Sequence, residues 1–201
     1  LCLERSERNG IKMQKENSKK ETALISDPIP NMPWEPKPEN CKGIVWRHST
    51  NPIIDINPFP KARCVYNSCV VPWQGKFIGV FRADWHCMTP HLHFGTSSDA
   101  LNWKFDEDPI SFISPDPTLG EMTFVYDPRV CKIEDIYYIT WCNNYYGPTI
   151  GQAWTKDFKT FHQLENAFLP YNRSGVLFPK KIKDRNNIKI VNKKRTLIVL
   201  L

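Results

Sequence analysis

The sequence predicts an all-β fold built from a repeated unit, and three observations predict it. Aromatic residues make up 12% of the chain, and aromatic side chains favour the half-buried pleated surface of strands. Seventeen prolines against nine glycines suit many tight connections better than long helices. The third observation is repetition from residue 65 onward. Asn67-Ser68-Cys69-Val70-Val71 precedes Gly75-Lys76-Phe77-Ile78-Gly79-Val80-Phe81, and Asp127-Pro128-Arg129-Val130-Cys131 precedes Asp135-Ile136-Tyr137-Tyr138-Ile139-Thr140-Trp141. Each time a polar residue opens a strand, a turn follows, and a strand of alternating aromatic and β-branched residues returns.

The second halves of the units match as well. Ser97-Ser98-Asp99-Ala100-Leu101-Asn102-Trp103 corresponds to Thr155-Lys156-Asp157-Phe158-Lys159-Thr160-Phe161, 58 residues later. The acid in this pattern suits a cap on backbone N–H groups, with the aromatic ring plugging the core beneath. A unit of four short strands over roughly 50–60 residues is the signature of a β-propeller blade. Residues 65–182 hold two such units and the start of a third at Asn172. The expectation is an incomplete propeller of two to three blades, since five blades need roughly 200–250 residues.

Along the chain, residues 1–24 are charged and poor in apolar residues, the composition of a disordered segment, and Met13 is a candidate start. Residues 25–64 form a proline-rich arm, expected to be pinned to the domain by Trp34 and Trp46. Residues 65–182 are the partial propeller. Residues 183–201 are Lys/Asn-rich and lack the blade pattern, so they are expected to be an aberrant basic tail on a truncated or frame-shifted end.

Charge and cysteines exclude some function classes. The net charge of +6 lies at the ends: residues 1–20 carry +3 and residues 183–195 carry +5, which leaves the remainder at −2. A nucleic-acid partner is therefore not expected of the folded part. The tail Leu197-Ile198-Val199-Leu200-Leu201 is too short to span a bilayer, and the N-terminus has no apolar signal region, so no membrane partner is expected. Seven cysteines (Cys2, Cys41, Cys64, Cys69, Cys87, Cys131, Cys142) form no CxxC pair. Reduced core thiols and a cytoplasmic location are expected.

The chemistry concentrates in Tyr126-Asp127-Pro128-Arg129-Val130. Asp127 suits a general acid, shielded by Tyr126 and held by the Pro128 turn, with Arg129 beside it. An Asp-Pro pair also caps hairpins, but Asn67 holds the same blade position, and Arg173 the third, so all three are expected on the axis where propellers bind ligands. Arg82 and Asp84 either grip sugar hydroxyls through charge-assisted hydrogen bonds or form a strand-end ion pair with each other. Arg173 and Lys180, in Asn172-Arg173-Ser174-Gly175-Val176-Leu177-Phe178-Pro179-Lys180, are candidate phosphate ligands. His86, Cys87, His91 and His93 lack a supporting second cluster, so hydrogen bonding or stacking is expected of them and no metal.

These motifs together resemble glycoside hydrolase family 130, the mannoside phosphorylases. Met32-Pro33-Trp34-Glu35, Trp46-Arg47, Asn51-Pro52-Ile53-Ile54, Asn67-Ser68, Gly79-Val80-Phe81-Arg82-Ala83-Asp84, Tyr126 to Val130, Thr155-Lys156-Asp157-Phe158 and Asn172 to Lys180 carry the resemblance, from about Pro28 to Ile182. It implies a five-bladed β-propeller of which this chain is the N-terminal half. It implies inverting phosphorolysis of mannosyl-glucose or another β-1,4-mannoside to α-mannose 1-phosphate, with inorganic phosphate as co-substrate and no cofactor. Asp127 would be the acid, acting through the mannose 3-hydroxyl. Asn67, Ser68, Arg82, Asp84, Tyr126 and Arg129 would bind substrate; Arg173, Asn172 and Lys180 would bind phosphate. A mannooligosaccharide phosphorylase, a β-mannosidase of the same family and a non-catalytic carbohydrate-binding fragment are the alternatives, and homo-oligomerisation stays open. A family histidine after the Phe-Pro-x-Lys motif has no counterpart here, so the chain alone is expected to be inactive or unstable.

Overall fold

The computed structural model describes residues 31–116, 122, 124–144 and 147–179, together with the backbone of strands at 187–192 and 195–200. No helix occurs among them. The first blade consists of β1 (Ala62–Trp73), β2 (Lys76–Trp85), β3 (Pro90–Ser97) and β4 (Lys104–Phe105), antiparallel in chain order. After β5 (Phe112–Ile113), the second blade repeats the meander as β6 (Tyr126–Ile133), β7 (Ile136–Asn144), β8 (Pro148–Thr155) and β9 (Phe161–Leu164). β5 joins this sheet in parallel, outside β9. β10 (Gly175–Leu177) opens a third sheet with β11 (Asn187–Asn192) and β12 (Arg195–Leu200).

The tail set apart by its charge thus pairs its backbone with β10, Leu177 opposite Ile188, and with itself, Asn192 opposite Arg195. Between the lysines of the sequence, Ile188, Ile190 and Val191, and then Leu197-Ile198-Val199, are strand-forming residues. The basic composition conceals that pattern.

Register makes the two blades equivalent residue by residue. Trp73 faces Lys76 across the first hairpin, and Ile133 faces Ile136 across the second. Phe81 and Trp141 therefore hold the same position, and so do Arg82 and Cys142. Gln74 and Gly75 both take positive φ, 49° and 73°, which matches the hairpin turn to the right-handed strand twist.

The main core lies between the blades: Ile78, Val80 and Leu92 from the first meet Tyr137, Ile139, Trp141, Ala153, Phe158 and Phe161 from the second. Trp141 lies flat over Gly151, where an added Cβ would come within 2.4 Å of the indole. Only glycine lets the ring sit that close to the strand.

The predicted caps form. Asp99 Oδ1 accepts the backbone N–H groups of Leu101 and Asn102 at 2.9 and 2.8 Å. Asp157 Oδ1 accepts those of Lys159 and Thr160, both at 2.9 Å. Phe161 is buried in the core, as expected of the aromatic ring in this pattern.

The arm differs from expectation. Trp34 is 84% exposed and pins nothing among the described residues, while Trp46 is 39% exposed. Glu35 instead ties this stretch to itself by accepting the backbone N–H and hydroxyl of Ser49. The anchor is Phe59, next to the entry into β1, whose ring packs 4.6 Å from His93 and 5.7 Å from Phe105.

Candidate active site

The first strands of the two blades, β1 and β6, lie against each other, and each begins its irregularity with a tyrosine: Tyr66-Asn67 and Tyr126-Asp127. Register slips between Tyr66 and Cys69 and again between Tyr126 and Arg129. At each slip the second residue adopts a left-handed backbone, φ 32° at Asn67 and 54° at Asp127. Asn and Asp enter that region more readily than other side-chain-bearing residues. A bulge re-aims a side chain out of the strand's alternation. Here the two converge, and Asn67 Nδ2 donates to Asp127 Oδ1 at 2.9 Å.

Arg82, on β2 opposite Tyr66, completes the cluster. Its Nη1 donates to the same Asp127 Oδ1 at 3.0 Å, while Nε and Nη2 grip Asp84 at 2.8 and 3.0 Å. The three side chains are 23%, 13% and 28% exposed for Arg82, Asp84 and Asp127. The fork onto Asp84 foremost, and then Asp127, raises the Arg82 pKa above its ordinary value. Both donors reach Asp127 Oδ1 and neither reaches Oδ2. Asp84 has each of its oxygens paired to the same guanidinium.

Aromatic rings frame these charges. The Arg82 guanidinium lies 5.4 Å from the Tyr66 ring and 5.3 Å from that of Tyr126, within cation–π reach of both. Arg173, just before β10, donates from Nη2 to the Tyr126 hydroxyl at 2.9 Å. Beside Asp127 opens a cavity of about 210 Å³ lined by Arg129, Trp141, Cys142, Arg173, Ser174, Gly175 and Val176. Three arginines against Asp84 and Asp127 give the site a net positive charge suited to an anion. Desolvation foremost, then the Asp127 charge, pushes the Cys142 thiol up to about 11, so it stands there as a neutral thiol rather than a nucleophile.

Asn67, Arg82, Asp84, Tyr126, Asp127 and Arg173 are thus brought together, and Arg129 lines the cavity while its Nη1 donates to the Pro128 carbonyl at 2.8 Å. Two expected members turn to local backbone instead. Ser68 donates to the Tyr66 carbonyl at 2.9 Å and Asn172 to that of Leu169 at 3.0 Å. Lys180 lies outside the described residues. Tyr66 was missed, although the repeat Tyr66-Asn67, Tyr126-Asp127 marked it. His93 accepts Trp85 Nε1 at its Nε2 and meets the Asp106 carbonyl at Nδ1, both at 3.0 Å. His91 stacks on Trp85 with ring centroids 3.8 Å apart.

The family model of glycoside hydrolase family 130, described as beta-1,4-mannooligosaccharide phosphorylase, matches residues 27–198. The chain belongs to glycoside hydrolase family 130. The beta-1,4-mannooligosaccharide phosphorylase of Ruminococcus albus is 49% identical over 164 residues, 78% of this chain and 49% of that protein. The chain therefore spans about half the length of this curated relative. The beta-1,2-mannobiose phosphorylase of Listeria innocua is 28% identical over 97 residues, 47% of this chain and 26% of that protein. A solved structure of the Listeria innocua enzyme with beta-1,2-mannobiose superposes with a TM-score of 0.63 at 18% identity, covering 77% of this chain and 62% of that one. At that identity the likeness establishes the family 130 fold, and the blades described above are part of its β-propeller.

Proposed function

We propose that the protein containing this chain cleaves a β-1,4-mannoside with inorganic phosphate, inverting the anomeric centre and releasing α-mannose 1-phosphate. The observation that carries this reading is one carboxylate, Asp127, set among Arg82, Arg129 and Arg173, while the neighbouring Asp84 is consumed by Arg82. An inverting hydrolase needs a second free carboxylate to activate water. Phosphate arrives as an anion and needs cations in its place. A phosphate oxygen attacks C1, the C1–oxygen bond breaks, and the leaving oxygen takes the proton delivered from Asp127. No cofactor enters this chemistry beyond phosphate as co-substrate.

The 49% identity to a mannooligosaccharide phosphorylase favours a mannooligosaccharide as the donor. The finer alternative, 4-O-β-D-mannosyl-D-glucose, rests on the motifs around Asp127 and Arg173. Incubating the full-length protein with β-1,4-mannobiose or mannosyl-glucose, with and without phosphate, separates the readings by whether mannose or glucose is released. Phosphorus NMR is expected to show α-mannose 1-phosphate, and Asp127→Asn to lower the rate at least 100-fold. Mannose release at equal rate without phosphate would sink the phosphorolytic reading.

A further inference from the structure

Tyr126 makes contacts that a simple sugar-binding residue does not need. Its hydroxyl accepts from Arg173 Nη2 at 2.9 Å, and the Arg173 guanidinium carbon lies 5.8 Å from its ring. The same ring lies 5.3 Å from the guanidinium of Arg82, which holds Asp127. Arg82 comes from the first blade, Tyr126 from the second and Arg173 from the entry to the third sheet. Tyr126 therefore contacts both Arg82, the cation beside the acid, and Arg173, one of the two arginines of the cavity.

Arg173 needs such a holder. It is exposed, and it precedes β10 rather than lying within a strand. A long cation on an irregular segment loses several rotatable bonds when it binds an anion, and that entropy opposes binding. Fixing it beforehand removes much of that cost.

We infer that Tyr126 is a positioning residue for phosphate: its hydroxyl pre-sets the Arg173 fork over the cavity, and its ring ties that fork to the Arg82–Asp127 pair. This rests on the phosphorolytic reading above. It assigns Tyr126 to the phosphate side of the site rather than to the mannose side.

The test is Tyr126→Phe in the full-length protein, which removes the hydroxyl and keeps the ring beside Arg82. Apparent KM is measured for phosphate at saturating β-1,4-mannobiose and for mannobiose at saturating phosphate. The expected result is a rise of roughly fivefold to tenfold in the phosphate KM, with the mannobiose KM changed less than about twofold. A double-mutant cycle with Arg173→Lys is expected to be non-additive, because both changes break one contact. The stabilisation of the folded protein by inorganic phosphate in thermal melts supplies a readout independent of turnover, and it is expected to need more phosphate in Tyr126→Phe. A mannobiose KM that rises while the phosphate KM and phosphate stabilisation stay unchanged overturns the inference and returns Tyr126 to the sugar. A wild-type protein that phosphate does not stabilise, and whose turnover is phosphate-independent, overturns the phosphorolytic reading itself.

Discussion

Asp127 accepts two donors on one oxygen, and they differ in kind. Arg82 supplies charge; Asn67 supplies a neutral amide from the other blade at 2.9 Å. Asn67 therefore helps to fix where the carboxyl group points. Asn67→Ala is expected to lower kcat for phosphorolysis on the order of tenfold by letting the carboxyl group swing, since small misplacements of a reacting group are costly. Steady-state kinetics on β-1,4-mannobiose checks this, and an unchanged kcat would show that Arg82 alone orients the acid. At this scale the sequence exposed Asn67 and Asp127 because the repeat aligned them on equivalent bulges; Arg173, read as the third such position, instead precedes its strand. The sequence did not separate Asn67 from Ser68, because alternation alone does not say which of two adjacent residues a bulge turns inward; φ 32° at Asn67 decides that. Asn172 is bonded to the Leu169 carbonyl, as a short amide next to a turn readily is.

Within the blades the recurring device is the acid that caps the turn after the third strand. The Asn102 backbone N–H first, with the Asn102 side chain and the Leu101 N–H, lowers the Asp99 pKa below the usual carboxylate range. The N–H groups of Thr160 and then Lys159 lower that of Asp157. A carboxylate whose pKa is depressed by folding stabilises the protein above its unfolded value, about 4, and loses that contribution as pH falls through the folded value. Thermal midpoints followed from pH 6 to pH 2 are thus expected to fall below about pH 4. The double variant Asp99→Ala, Asp157→Ala should start lower and fall less steeply; parallel curves would remove these turns as the cause. The close approach of Trp141 to Gly151 makes a second test. Gly151→Ala forces the indole or the strand to move and should cost about 1–3 kcal/mol in urea unfolding, whereas a cost near zero would mean that the ring has room to shift. The caps were legible because spacing and residue type jointly specify them. The third sheet was not, since its strand pattern sits among lysines and asparagines that dominate the composition of residues 183–195.

For the molecule as a whole, the site exists only while the two blades stay docked, because Asn67 and Arg82 come from one and Tyr126 and Asp127 from the other. Phe158 spans the packing between the two blades. It follows the capping acid with a left-handed backbone, φ 55°, and is 4% exposed. Its ring reaches Trp73 at 5.8 Å and Phe94 at 6.0 Å on the first blade, and Tyr137 at 4.6 Å on its own. Its counterpart in the first blade is Ala100, which has the same left-handed backbone at φ 62° but no ring to offer. Phe158→Leu keeps most of the buried apolar surface while losing these ring contacts, and should cost about 1–2 kcal/mol. If docking sets the distance between Asn67, Arg82 and Asp127, the same variant should lower kcat/KM for phosphorolysis several-fold although no residue of the site has changed. Melting and kinetics on one preparation distinguish the outcomes: a lowered midpoint with unchanged kcat/KM would mean that the hydrogen bonds across β1 and β6 hold the site together without the packing behind them.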